Sequence, residues 1–146
     1  MVIQRADRKH LDEVTSLGLK LWPDHDWNEL REEFEDLLQS RHDAIYIALV
    51  ENKVAGFLHM SLRTDYVEGS TTSPVGYVEG IFVEEEYRNR GIAKRLVQAG
   101  EQWAKTMGCE EIASDTELYN QASQAFHKKI GFTEAARIVA YIKRLE

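Results

Sequence analysis

Apolar positions follow a helical period from Leu11 to Leu38 and a period of two from Ile45 to Val83, and that change of rhythm sets the predicted architecture. A short strand over residues 2–5 precedes a helix whose Leu11, Val14, Leu17, Leu19 and Leu21 form an apolar face. Pro23 closes it near Trp22. A second helix is expected after Asp26, with Leu30, Phe34, Leu37 and Leu38 on one face and Glu29, Glu32, Glu33 and Asp36 on another. Residues 45–51 and 54–62 then read as strands joined by an Asn52-Lys53 hairpin turn, and 75–83 as a third strand. Between them, residues 64–74 are polar and rich in Gly, Ser and Thr, a loop. The helical period returns over 91–107, with Ile92, Leu96, Val97, Trp103 and Met107 on the apolar side and Gly108 as the stop. A short strand over 111–116, a helix over 120–130 ended by Gly131, and one or two closing strands over 132–144 complete the chain. This order predicts an α/β domain with a mixed sheet.

No linker, low-complexity tract or repeat divides the 146 residues, so one domain over 1–146 is expected. A chain of this size buries roughly 68–70% of its unfolded surface and needs no covalent staple. Cys109 is the lone cysteine, which excludes an internal disulfide and a Cys-rich zinc site and fits a reducing compartment. The five histidines, His10, His25, His42, His59 and His127, show no metal-ligand spacing, so no metal site is expected. No apolar run approaches ~18 residues, and a cytoplasmic protein without a membrane segment is expected. The net charge of −7 argues against a nucleic-acid partner and favours a cationic or neutral one. Much of that acid is the solvated face of the second helix.

One stretch departs from the acidity. Residues 87–100 contain no Asp or Glu, yet Arg88, Arg90, Lys94 and Arg95 are basic. They bracket Arg88-Asn89-Arg90-Gly91-Ile92-Ala93, placed where a strand hands over to a long helix. Free backbone N–H groups at a helix start, the positive end of the helix dipole and a residue without Cβ together suit a pyrophosphate. Taken alone, the six residues fit a basic first turn of a surface helix equally well. In context, strand, turn, helix and strand followed by Asn120, Phe126, His127, Gly131 and Phe132 resemble the GCN5-related N-acetyltransferase superfamily, over essentially the whole chain.

The resemblance implies an acyl-CoA N-acyltransferase fold, a central mixed, mostly antiparallel twisted sheet flanked by about four helices, with acetyl-CoA as cosubstrate. It places Arg88, Asn89, Arg90, Gly91, Ile92, Ala93 and Lys94 on the pyrophosphate. Backbone groups of Ile81, Phe82 and Val83 would pair with the pantetheine arm, and Asn120 would lie beside it. Gly80 is consistent with a bulge just before these contacts. Two positions depart from the family pattern: Ser123 stands where Ala is usual, and His127 where a Tyr often protonates the departing thiolate. A histidine suits that proton transfer at neutral pH, or it packs the helix surface.

An amine of lysine-like pKa is less than roughly 0.1% neutral at pH 7, so the site must remove a proton before the amine attacks a thioester. A backbone N–H would stabilise the developing oxyanion. Glu79 is the candidate base; simple alternation puts it on one strand face with Val75, Tyr77, Ile81 and Val83, where desolvation favours proton uptake. The alternative is a salt-bridged edge-strand glutamate.

Four strings narrow the resemblance: Leu21-Trp22-Pro23-Asp24-His25, Arg63-Thr64-Asp65-Tyr66-Val67, Thr72-Ser73-Pro74-Val75, and Ala113-Ser114-Asp115-Thr116. They are similar to the aminoglycoside 6′-N-acetyltransferases of one bacterial subgroup, in which Trp22, His25, Tyr66, Glu79 and Asp115 match acceptor-site positions. Carboxylates and aromatic faces suit a polycationic aminosugar. As alternatives, Trp22 caps the core, Tyr66 packs the loop and Asp115 caps a turn. Ala136 stands where the subgroup carries a further acid, and Glu134 substitutes only if it points the same way. The implied function is aminoglycoside 6′-N-acetylation conferring antibiotic resistance. The alternatives are acetylation of another cationic amine (a polyamine, amino acid or protein amine) and a non-catalytic CoA-binding module. The resemblance also implies a homodimer, in which Ile138, Val139, Ala140, Tyr141 and Ile142 pair or exchange across the interface.

Overall fold

The computed structural model describes residues 1–146. Its alternating apolar segments form one sheet with strands in sequence order: β1 (Val2–Arg5), β2 (Asp43–Val50), β3 (Lys53–Arg63), β4 (Val75–Val83) and β5 (Ile112–Ser114). The first four run antiparallel and β5 lies parallel to β4, the expected mixed sheet. The amphipathic segments become α1 (Leu11–Leu21), α2 (Trp27–Gln39), α3 (Ile92–Thr106) and α4 (Gln121–Lys129). Asp26 caps α2 by accepting from the Glu29 N–H at 3.1 Å, which fixes the helix start read from the sequence.

Each face of the sheet has its own core. On one, Leu11, Val14 and Leu17 of α1 and Leu30 and Phe34 of α2 pack on Ile45, Ile47 and Phe57. On the other, Ile92, Leu96, Trp103 and Ala104 of α3 pack on Ala44, Leu58, Met60 and Val78. The functional strands thus lie on a support buried from both sides.

Three sequence expectations change. The hairpin turn is Glu51-Asn52, with φ of 51° and 64°, not Asn52-Lys53; a two-residue turn matching strand twist needs both residues left-handed, and Lys53 instead closes the ladder opposite Val50. No strand forms after Phe132, where Ile138, Val139, Tyr141, Ile142 and Leu145 are at least 72% exposed. The β-branched, apolar run of residues 138–142 suits a strand, but a strand needs a neighbour to satisfy its backbone, and within this chain the arm pairs with none.

The third change shapes the site. His59 pairs with Gly80 and Met60 with Val78, so Glu79 is the extra residue of a β-bulge. Beyond it the alternation is out of step: Ile81 and Val83 join the α3 side, while Phe82 packs on the α1 side. Glu79 shares its face with Tyr77 and not with Ile81 and Val83.

Candidate active site

β4 runs through both halves of the site. Its ladder with β5 covers only Gly76, Tyr77 and Val78, after which β5 ends at Ser114 and the edge of β4 from Glu79 to Val83 has no strand beside it. Ile81, Phe82 and Val83 lie on that open edge. A single 3-10 turn (Glu85–Tyr87) then leads to Asn89 at φ 63° and Gly91 at φ 78°, directly before α3. The first helical bond of α3 runs from Arg95 N–H to the Gly91 carbonyl, 3.1 Å. Consequently the N–H groups of Asn89, Arg90, Gly91, Ile92, Ala93 and Lys94 donate to no protein acceptor. A Cβ on Gly91 would meet nothing within 4 Å, so glycine is required there for its left-handed backbone and not for packing.

The charges around this turn are also unspent. Arg88 Nε donates to the Val83 carbonyl at 2.8 Å, tying the turn to the end of β4, and the Arg90 guanidinium stands 5.4 Å over the Tyr87 ring. Neither they nor Lys94 pair with a carboxylate. Across the gap, Asn120 caps α4: its Oδ1 accepts from the Ser123 N–H at 3.0 Å and leaves the amide nitrogen unpaired. His127 is held at both nitrogens, with Nδ1 donating to the Ser123 carbonyl at 2.7 Å and Nε2 2.8 Å from the Ser114 hydroxyl. Phe126 and Phe132 flank its ring. In the neutral tautomer so fixed, Nε2 accepts from Ser114.

The acceptor half is a network of groups already bonded to one another. Both Glu79 oxygens are engaged by Arg63: Nη2 lies 2.5 Å from Oε1 and 2.9 Å from Oε2, and Nε 3.2 Å from Oε2. Ser61 donates to Oε2 at 2.9 Å. The Arg63 guanidinium lies 3.4 Å over the Tyr77 ring, and the Tyr77 hydroxyl donates to Asp115. The hydrogen bond to Glu79 raises the affinity of Arg63 for its proton, and burial, then the Asp115 bond, push the Tyr77 phenol well above its ordinary range.

Trp22 packs where Gly80 leaves room, since a Cβ there would lie 2.6 Å from its ring, and its other neighbours are Phe34 and Phe57. It therefore seals the core directly beside Glu79. His25 is exposed, its ring 6.1 Å from that of Trp22. Tyr66 is 77% exposed and forms no hydrogen bond with Glu79, Arg63 or Asp115, while its neighbour Val67 is buried against Val75 and Tyr77 and anchors this end of the loop. Glu111 staples the far end of the loop by accepting from the Thr71 and Thr72 N–H groups, each at 2.9 Å, and from the Thr72 hydroxyl. The Thr72 hydroxyl, then the Thr71 N–H, hold the Glu111 carboxyl below its usual range. Glu134 bonds Arg137 at 2.8 Å in the exposed arm, and Ala135 abuts Gly69 of the loop.

The structure thus links Glu79 and Asp115 through Arg63 and Tyr77, with Ser61 also bonded to Glu79, and packs Trp22 against the adjacent Gly80 without joining that network. Sequence reading missed Arg63, Ser61 and Tyr77. Their signal was present in the period of two, which sets Ser61 and Arg63 on one face of β3 and Tyr77 beside them on β4.

An open strand edge running into an unsaturated helix start, with a carboxylate at the preceding bulge, is the framework of a CoA-dependent acyltransferase. Residues 13–132 match the Acetyltransferase (GNAT) family, and the chain belongs to that family. It is 42% identical over 144 residues to an aminoglycoside N(6')-acetyltransferase type 1 of Salmonella typhimurium, covering 99% of each chain. It is 41% identical to one from Acinetobacter baumannii, again over 99% of each. Among solved structures, AAC(6')-Iy in complex with the bisubstrate analog CoA-S-monomethyl-acetylneamine superposes with a TM-score of 0.94 at 40% identity, covering 99% of this chain and 98% of that one.

Proposed function

We propose that the protein is an acetyl-CoA-dependent aminoglycoside 6′-N-acetyltransferase whose activity confers resistance to these antibiotics. The observation that carries this reading is that one strand, β4, presents Glu79 at its bulge and then leads along an open edge into the unsaturated turn before α3. Acetyl-CoA supplies the acetyl group as a thioester. The N–H groups of residues 89–94, with Arg88, Arg90 and Lys94, hold the pyrophosphate, while Ile81, Phe82, Val83 and the Asn120 amide line the pantetheine path. Glu79 takes the proton that the acceptor ammonium must lose. Asp115 binds a second ammonium, and Trp22, His25 and Tyr66 border the sugar rings. When protonated at Nε2 as well as Nδ1, His127 passes the Nε2 proton to the Ser114 hydroxyl, which gives its own to the leaving thiolate; at a pKa near 8.5 that thiolate needs little help.

Steady-state kinetics with acetyl-CoA and kanamycin, tobramycin, spermine and a lysine peptide test this reading. Turnover of the aminoglycosides at the highest kcat/KM is expected. Turnover of spermine or peptide alone would replace the acceptor, and turnover of none would leave a CoA-binding module.

The same reading includes a homodimer. The exposed apolar arm after Phe132 is matched by a groove of about 390 Å³ along the outer side of β5, whose apolar lining is Ala104, Cys109, Ile112, Ile130 and Phe132. An arm seated in the partner's groove covers both apolar surfaces and extends the sheet past its short last strand. Sedimentation at micromolar concentration is expected to give a dimer, and removal of residues 138–146 a monomer. A full-length monomer would contradict this. No helix is long and apolar enough to cross a membrane.

A further inference from the structure

We propose that Arg63 is a specificity-determining residue of the acceptor site, a resident cation on Glu79 that an incoming acceptor must displace, so that acceptors are selected by how many ammonium groups they carry. The inference rests on the reading of Glu79 as the carboxylate that meets the acceptor.

Arg63 is the last residue of β3, at the mouth of the loop 64–74, and its side chain is 42% exposed. Its fork occupies Glu79 through both Nε and Nη2, while its flat face rests on Tyr77. Ser61 takes a further acceptor position on Oε2, so the remaining open lone pair of the carboxylate is on Oε1. Tyr77 in turn donates to Asp115. One guanidinium therefore compensates two carboxylates, directly at Glu79 and through the phenol at Asp115, and the cluster keeps one uncompensated negative charge.

This arrangement treats acceptors unequally. An acceptor with a single ammonium finds only the Oε1 lone pair open, directly beside the guanidinium whose charge repels it, and gains the rest of the carboxylate only by breaking the bidentate, charge-assisted bonds to Arg63. A polycation offsets that loss, because a second ammonium reaches Asp115 as Arg63 leaves Glu79. Arg63 has both a destination and a path: the Tyr77 face keeps its cation–π contact, and the exposed side admits rotation toward solvent. A purely structural role makes a different forecast. A staple between β3 and β4 would, when cut, lower stability and weaken every acceptor alike.

The test compares wild type, Arg63→Gln and Arg63→Lys on kanamycin and on 6-amino-6-deoxyglucose, a sugar with the same reacting amine and no other. For Arg63→Gln, KM for the single-amine sugar is expected to fall about tenfold while its kcat changes little, the loss of one charge-assisted competitor. Kanamycin KM moves less, so the kcat/KM preference for kanamycin shrinks by about the same tenfold factor. Arg63→Lys, a point charge without the fork, falls between. An unchanged preference, or KM values that rise together for both acceptors, would overturn the proposal. CoA titration shows whether Arg63→Gln is folded; if it is not, the preference of Arg63→Lys decides in the same way. Failure of the underlying reading looks different: Glu79→Gln would keep wild-type turnover, or wild type would acetylate no aminoglycoside. In the latter case spermine against butylamine gives the same comparison of preferences.

Discussion

The two halves of the site are built on opposite principles. In the cofactor half, the backbone N–H groups of residues 89–94 have no internal acceptor and Arg90 and Lys94 no carboxylate partner, so no hydrogen bond or ion pair of theirs must be broken before a pyrophosphate binds. In the acceptor half, both carboxylates already hold internal partners, Arg63 and Ser61 for Glu79 and Tyr77 for Asp115. The first half binds by filling vacancies, and its affinity follows from dipoles and unscreened charge. The second binds by exchange, and its selectivity follows from what the acceptor offers relative to what the protein already holds.

Substitutions separate these principles, and Glu79→Gln has the largest expected effect. It keeps the shape of the cluster and removes the base, so kcat/KM for the aminoglycoside falls by about 10²–10⁴ while KM for acetyl-CoA is unchanged. Next is Gly91→Val. Forcing a β-branched residue to φ 78° costs roughly 1–2 kcal/mol in the folded protein. It also sets a side chain against the phosphate approach, so KM for acetyl-CoA rises about tenfold or more, equivalent to the loss of one strong phosphate contact, and acceptor KM stays put. An acceptor defect of similar size would erase the division between the halves.

Smaller effects sharpen the acceptor half. Tyr77→Phe leaves the ring under Arg63 and removes the donor that holds the Asp115 carboxylate in place, so acceptor KM rises by about three- to tenfold, the worth of a hydrogen bond to a charged group, with acetyl-CoA KM unaffected. Because burial and Asp115 hold the Tyr77 phenol protonated well into the alkaline range, no alkaline limb in the wild-type rate profile traces to this residue. Smallest is Glu111→Gln at the loop staple. The folded-state pKa of Glu111 is lowered, so its stabilisation is complete above the ordinary value of 4.5 and is lost as pH falls through the lower folded value. The Tm gap between wild type and Glu111→Gln is therefore a small deficit for the variant at neutral pH that closes in acid. A gap that widens in acid would mean that Glu111 acts through another partner.

The comparison also explains what could be read from the sequence. The cofactor half is written locally: a basic segment without acid, a glycine at a strand-to-helix boundary and an Asn that caps the next helix all lie within single segments. The element order and the helix starts at Asp26 and Asn120 are equally local, because caps and periods depend on near neighbours. The acceptor half is made by pairing. Glu79 reaches Arg63 and Ser61 because β3 and β4 pair with Ser61 opposite Tyr77, and neither strand alone encodes that register. Simple alternation therefore grouped Glu79 with Ile81 and Val83, which the bulge turns to the other face. The arm after Phe132 failed for a related reason: its pattern specifies a strand and not the neighbour beside it.

The central claim is a regiochemical one and is tested by the product. With wild-type protein, acetyl-CoA and kanamycin, mass spectrometry and NMR are predicted to show a single added acetyl group on the 6′-nitrogen, with product formation suppressed in Glu79→Gln. Acetylation at a different amine, or release of CoA without any acetylated aminoglycoside, would contradict the account.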